Sequence, residues 1–553
     1  MLKPIKLEKL YPKLRFLIID DFENFRSSLR LMLSSFGAYH VDMASSSEEA
    51  MDKCRFNFYD IILCDYNLGQ GKNGQQILEA LKISKRIKHT HLFIMITAET
   101  AKDVVLGARE YQPDAYIAKP ITRTVLEKRL GHLIKQQKTL KPINKEIDLE
   151  NYSKAISLCH LELDQKTKYQ SWCYQTLGHL YLKLGDASNA IKVYENVLKS
   201  RDLPWAHLGM GQALQLNQDY KSAIDQFEAG LKLNPNLVEA YDGISECYLK
   251  LNQPKLAQES LKTAVLLSPR MVPRQEKLGS LCQKNQDIVS AALAFRHAIK
   301  YGEHSIHDKA ENYLNLGRSL SDWSEGDLSS EGQERANEAI DVLETLTNKF
   351  SLNENACINA TLIGARVYTG QDKTELADKK LHQAECVIEA ENLSSEVGLE
   401  LAKTLYSMDQ PERAEKLLID LAKKFEDDNE ILLQIESLLD EPESLISRKQ
   451  AKELNKTGIR SFEQGDLEAA IESIEAALSF TPKHAALNLN LVQVLLKNYE
   501  KSKQNINITK AKACLKRIEH IPEQHKQYKR MKYLIKTINQ LTNTINSDTG
   551  VKL

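Results

Sequence analysis

The sequence predicts two architectures in series: a doubly wound parallel α/β sheet of five strands, then an all-α solenoid. Two patterns carry this expectation. Short apolar runs alternate with amphipathic stretches over residues 14–135, and self-similarity at 33–34 residues begins near residue 150. A third observation bounds it: 42% of the 553 residues are hydrophobic and 27% charged, which supplies several packed cores and rules out global disorder.

The strand-like runs are Arg15–Ile19, Tyr39–Ala44, Asp60–Cys64, Leu92–Thr97 and Ala115–Ala118. Helical spacing separates them at Phe25/Leu29/Leu33, Ala50 to Cys54, Ile77/Leu78/Leu81 and Val104/Val105/Ala108, and Val125 to Ile134 closes the unit. A strand followed each time by a helix is the pattern of a parallel sheet covered on both faces. Lys135–Lys145 is polar, contains Pro142 and loses the periodicity, so residues 136–149 are expected to form a linker.

Beyond it the strand signal disappears. Gly178, Gly211, Ser245 and Gly279 step by 33, 34 and 34 residues. Each is followed by a small residue (Ala190, Ala223, Ala257, Ala291) and then a bulky one (Tyr194, Phe227, Leu261, Phe295), with Pro235 and Pro269 closing two copies. Small residues let paired helices approach, and the bulky one fills the gap to the next pair. A further clear copy has Leu454, Gly458, Ala470, Ile474, Ala477 and Pro482. Looser copies contain Tyr313/Gly317/Ala339 with an insert at Ser321–Ser330, Gly364/Ala384 and Ala402/Ala414. This segment resembles a tetratricopeptide-repeat array over 150–536, with a flexible polar tail at 537–553.

Composition excludes several function classes. Lys+Arg total 74 against 75 for Asp+Glu, so no electrostatic footprint for nucleic acid is expected. Nine scattered cysteines form no CxxC pair and fit reduced packing thiols. No apolar run approaches membrane-spanning length, and the N-terminal lysines precede no apolar block, so neither membrane insertion nor a secretory signal is expected and the cytoplasm is the expected compartment.

Chemistry concentrates in the α/β unit. Asp20-Asp21 follow the first strand, Asp65 ends the third, Thr97 ends the fourth, and Lys119 follows the fifth. A parallel sheet gathers its C-terminal strand ends on one edge, where ligands bind, so these five residues should converge. Clustered carboxylates repel one another and call for a hard divalent cation, for which Mg²⁺ is the natural occupant.

The constellation, with Asp20-Asp-Phe-Glu-Asn-Phe-Arg26, resembles the receiver domain of bacterial two-component response regulators, and its chemotaxis-type members in particular. The resemblance implies that Asp65 is the phosphoryl acceptor, supplied by a histidine kinase or phosphotransfer protein. It implies direct Mg²⁺ ligation by Asp21, Asp65 and the backbone carbonyl of Asn67, with Asp20 acting through water. Thr97 and Lys119 would bind the phosphoryl oxygens beside small Ala98, Tyr116 would be the aromatic switch, and Lys119–Pro120 would be cis. No separate catalytic domain is implied, and metal and ammonium supply most of what phosphoryl transfer requires.

Gly69-x-Gly71-x-x-Gly74 spells a dinucleotide fingerprint, but the following strand ends Thr97-Ala98, with Glu99 only beyond it, so a phosphoacceptor loop is the better reading. His304 and His307 have metal-ligand spacing at a repeat boundary, where a solvated turn is expected. Trp172, Trp205 and Trp323 are expected to pack. Some tetratricopeptide arrays clamp a C-terminal carboxylate with Lys and Asn on their inner helices. The corresponding residues here are Gln175/His179, Leu208/Gln212 and Asp242/Glu246, so that clamp is not expected. The function expected is a response regulator whose repeat array binds a protein ligand in its groove. A constitutive scaffold, using its receiver only for docking or dimerisation, remains the alternative. The coupling surface is expected on the Thr97–Tyr116–Lys119 side.

Overall fold

Runs dense in aliphatic residues pair as a five-stranded parallel sheet in the order β2-β1-β3-β4-β5. The strands are β1 Arg15–Ile19, β2 His40–Ala44, β3 Ile61–Asp65, β4 Leu92–Thr97 and β5 Ala115–Ala118. Alternation along each strand sorts the side chains. Phe16, Ile18, Ile61, Leu63, Ile94 and Ile96 pack on one face with Leu29, Leu33, Leu126 and Leu130. Leu17, Ile19, Ile62, Cys64, Phe93 and Met95 pack on the other with Ala50, Ile77, Leu78 and Leu81. The covering helices are α1 Glu23–Ser35, α2 Ser47–Phe56, α3 Gly74–Ile83 and α4 Arg123–Asp148. This computed structural model describes residues 9–98, 107, 110–388, 393–438, 445–480, 484–518 and 527–549. Glu99 and the helical stretch expected at Val104, Val105 and Ala108 lie outside the described residues, as does Pro482.

The expected linker 136–149 is a correction. Helix α4 continues for 26 residues through it, with Pro142 inside. Leu140, Ile143 and Ile147 share one side of that helix and are buried with Ala155, Cys159, Cys173 and Leu177. An interior proline costs about 3 kcal/mol, and burying three large aliphatic side chains at about 1.5–3 kcal/mol each outweighs it. The Asp148 carboxylate accepts from the backbone N–H groups of His89 (2.7 Å) and Thr90 (3.1 Å) and from Thr90 Oγ1 (2.8 Å), tying the end of α4 back to the loop before β4.

Successive helix pairs follow: Gln170–Lys183 with Ala187–Ser200, Pro204–Leu216 with Tyr220–Leu233, Val238–Lys250 with Pro254–Leu267, and Val272–Lys284 with Ile288–Gly302. The turn inside each pair places one residue in the left-handed region: Gly185 (φ +74°), Gln218 (+64°), Asn252 (+57°) and Gln286 (+61°). The next residue caps the second helix in three of the four, where Asp186, Asp219 and Asp287 accept from backbone N–H groups three residues on. In the third pair, Pro254 occupies the first helical turn instead. The small-residue period has a direct cause. A Cβ on Gly211 or Gly243 would stand 2.5 Å from the Phe227 ring, and one on Gly178 or Gly209 would overlap the Tyr194 ring.

Met1–Phe350 and Ser351–Leu553 are two compact units. In the second, Leu467–Phe480, Ala485–Ser502 and Asn505–Arg517 share a core with the last helix, Tyr528–Thr549. The tail expected from residue 537 is therefore corrected through Thr549, because the last helix runs that far and Ile538, one turn beyond Leu534, is buried in that core; residues 550–553 lie outside the described residues.

Candidate functional site

The strand order puts the chain reversal between β1 and β3, so Asp20 and Asp21 after β1 and Asp65 at the end of β3 meet at the switch point of the sheet. Ligand oxygens of these three carboxylates lie within 4.8 Å of one another, the one cluster of three or more potential metal ligands among the described residues. Asp20 and Asp65 are buried and Asp21 is exposed, so the cluster opens to solvent on the Asp21 side. Lys119 closes the other side: its ammonium donates to Asp20 Oδ2 and Asp65 Oδ2, both at 2.8 Å. Burial raises the Asp65 carboxyl above the usual range, against the opposing pull of Lys119. Burial also penalises the Lys119 charge, but its bonds to the two carboxylates outweigh that and hold its pKa above the usual value.

The backbone around the pocket is tightly determined. Lys119 N donates to Thr97 O at 2.7 Å, which joins the ends of β4 and β5, and the Lys119–Pro120 bond is cis as expected. Thr97 is buried at the strand end, and Ala98 follows it as an exposed residue. Asn67 is exposed two residues after Asp65, where its side chain accepts from Gly69 N at 3.4 Å. Tyr116 packs partly buried against the core cluster that contains Phe93 and Met95. The glycines of the GxGxxG string have backbone roles. Gly69 and Gly71 sit at φ +74° and +91°, and a Cβ on Gly74 would stand 2.2 Å from Asp65 O. Helix α3 therefore starts directly against the backbone of Asp65.

Two neighbours escaped the sequence reasoning as site residues, although both lie in the Asp20–Arg26 stretch. The Lys119 ammonium stands 4.2 Å from the centroid of the Phe25 ring, and Arg26 Nη1 donates to Asp20 O at 2.6 Å. The solvated turn expected at His304 and His307 is half corrected. His304 is exposed, but His307 is largely buried, with Nε2 2.5 Å from Glu79 Oε1 on α3. Trp205 packs on Tyr194, Trp323 lies under Arg335, and Trp172 packs against the core that includes Ile143.

The family model of the response regulator receiver domain matches residues 16–131, and two tetratricopeptide repeat models match 176–238 and 238–271. The chain carries a receiver domain and tetratricopeptide repeats. Its receiver is 26% identical over 123 residues to a chemotaxis protein CheY of Pseudomonas aeruginosa, covering 22% of this chain and 98% of that protein. A CheY-like receiver domain structure from Methanospirillum hungatei JF-1 is 25% identical, covering 23% of this chain and 96% of that one, with a TM-score of 0.21. The structure of YrrB, described as a tetratricopeptide protein with an unusual peptide-binding site, covers 35% of this chain and 90% of that one at 16% identity and a TM-score of 0.28. The receiver is similar to chemotaxis-type receivers, and no helix among the described residues is long and apolar enough to cross a membrane.

Proposed function

We propose that this protein is a phosphorelay response regulator in which Asp65 accepts a phosphoryl group and the repeat array reads the result through a protein partner. In this reading an Asp65 carboxylate oxygen attacks the phosphorus of a phosphohistidine on a histidine kinase or phosphotransfer protein. An O–P bond forms, the N–P bond breaks, the imidazole leaves with the bonding pair, and Asp65 becomes an acyl phosphate. The single observation that supports it best is the contact of Asp65 with Lys119 beside the Asp20–Asp21 pair. Lys119 orients Asp65 before transfer and balances phosphoryl charge afterwards, with Thr97 beside it at the end of β4.

The donor set fits a hard cation, since three carboxylates converge with one side open to solvent. Asp21, Asp65 and the Asn67 carbonyl would hold Mg²⁺ directly and Asp20 would act through water. Bound there, Mg²⁺ would offset charge on the transferring phosphoryl oxygens. Tyr116 would report the change, and the cytoplasm is the compartment in which such a relay would run.

The test is labelling with acetyl phosphate and Mg²⁺. The protein should gain one hydroxylamine-labile phosphoryl group and Asp65→Asn none. Equal labelling of the variant overturns the assignment. A partner affinity indifferent to beryllofluoride would favour the constitutive scaffold instead.

A further inference from the structure

Within the Met1–Phe350 unit the receiver makes a second set of contacts, through α3 and through Glu110 in the segment before β5. Gln76 Nε2 donates to the carbonyls of Tyr301 (3.4 Å) and Glu303 (3.0 Å), and Glu79 meets His307. Glu110 closes an ion pair with Arg274, at 3.0 Å to Oε2 and 3.1 Å to Oε1, and both side chains are almost fully buried. Arg274 also clasps Asp242 through Nε (2.8 Å) and Nη2 (2.6 Å). Arg274 and Asp242 belong to first helices of repeat pairs, and Asp242 stands at one of the positions that correspond to the carboxylate clamp of some other tetratricopeptide arrays. A cavity of about 780 Å³ continues this boundary toward the first repeat, lined by His89 and His91 of the receiver and by Trp172, Gln175 and Lys183 of the array.

We propose that the receiver is a resident intramolecular ligand of its own repeat array, seated through Glu79 and Glu110 on His307 and Arg274, and that the phosphoryl state of Asp65 controls its release. The contact stands on the geometry alone; its control by Asp65 rests on the phosphoacceptor reading. The link between the two is short. Arg270 Nη1 donates to the hydroxyl of Tyr66, the residue after Asp65, at 3.4 Å. Gly74 N donates to Tyr66 O at 2.8 Å, and the start of α3 rests on Asp65 O. A shift of the Asp65 loop on phosphorylation therefore moves the helix that bears Gln76 and Glu79. Two states that differ in these contacts are what coupling between acceptor and array requires. The seated receiver covers array residues that a protein partner would otherwise reach, so partner and receiver compete.

Hydrogen exchange on the full chain tests both halves. Glu79→Lys with Glu110→Lys on the receiver, and separately His307→Ala on the array, should each raise exchange about tenfold in residues 74–83 and 301–308 together. Exchange in β1 and β3 should stay unchanged, which separates undocking from misfolding. No rise at 301–308 in either variant overturns the docking. Beryllofluoride with Mg²⁺ on the unsubstituted protein should protect residues 65–73 and raise exchange at 301–308. Protection of the loop with an unchanged 301–308 overturns the control by Asp65. No protection of the loop overturns the phosphoacceptor reading itself and leaves docking to be judged by the substitutions.

Discussion

Replacing Lys119 with Met tests how the pocket balances its charge. In the metal-free state one ammonium pairs with two carboxylates that are 2% and 7% exposed, while being 17% exposed itself, and so offsets only part of their charge. Truncating one partner of a buried ion pair typically costs about 3–5 kcal/mol, because the remaining charge is desolvated and unpaired. The low end applies here. Asp65 is already raised by burial and escapes part of the penalty by taking up a proton, and the Asp21 side of the cluster admits water. In EDTA, Lys119→Met should thus lose about 3 kcal/mol in the opening free energy of β1 and β3. Those strands are the right reporters, since all three tryptophans lie in the array and report on something else. Mg²⁺ should then narrow the gap. In the native pocket a cation has to share Asp65 with Lys119, whereas in the variant it meets unpaired carboxylates. Ligand at about 100 times its Kd adds about 2.7 kcal/mol, enough to recover most of the loss. The assay is native-state exchange of the strand amides in EDTA and in Mg²⁺. An unchanged opening energy in EDTA, or equal Mg²⁺ stabilisation of both proteins, would refute this charge balance.

Two further outcomes follow from the array. Gly243→Ala adds about 1 kcal/mol of helix propensity, but pushes a methyl against the Phe227 ring at a cost of about 1–3 kcal/mol, so thermal unfolding should show a net loss. In the Phe227→Leu background the same change should become stabilising; absence of that change of sign would show that Gly243 is not a socket for the ring. Asp287 is held at about 2 although burial works against it, because Lys262 and the Ser290 cap outweigh burial. Its folded pKa lies below the ordinary 3.8, so its contribution is full above about pH 4 and is lost as pH falls toward 2. The stability advantage of the native protein over Asp287→Asn in helix Ile288–Gly302 should shrink across that window, and a constant difference would contradict the pairing.

Local pattern by itself determined the order of strand and helix, the two architectures and the edge on which Asp20, Asp21, Asp65, Thr97 and Lys119 gather. Each is a consequence of short-range regularity: two-residue alternation, helical spacing, or a period that returns a small residue to the same packing site. Only tertiary structure decided what long-range burial sets. Residues 136–149 read as a linker because Pro142 and scattered lysines mask Leu140, Ile143 and Ile147, and the surface that buries those three is built by helices further along the chain. The tail misleads in the same way, since its polar residues hide Ile538, which continues the apolar side begun by Leu534 once the preceding helices supply a core. The partnerships of Glu79 with His307 and of Glu110 with Arg274 span 228 and 164 residues. No local pattern encodes them, because a charged side chain looks the same in sequence whether water or a distant counter-ion satisfies it.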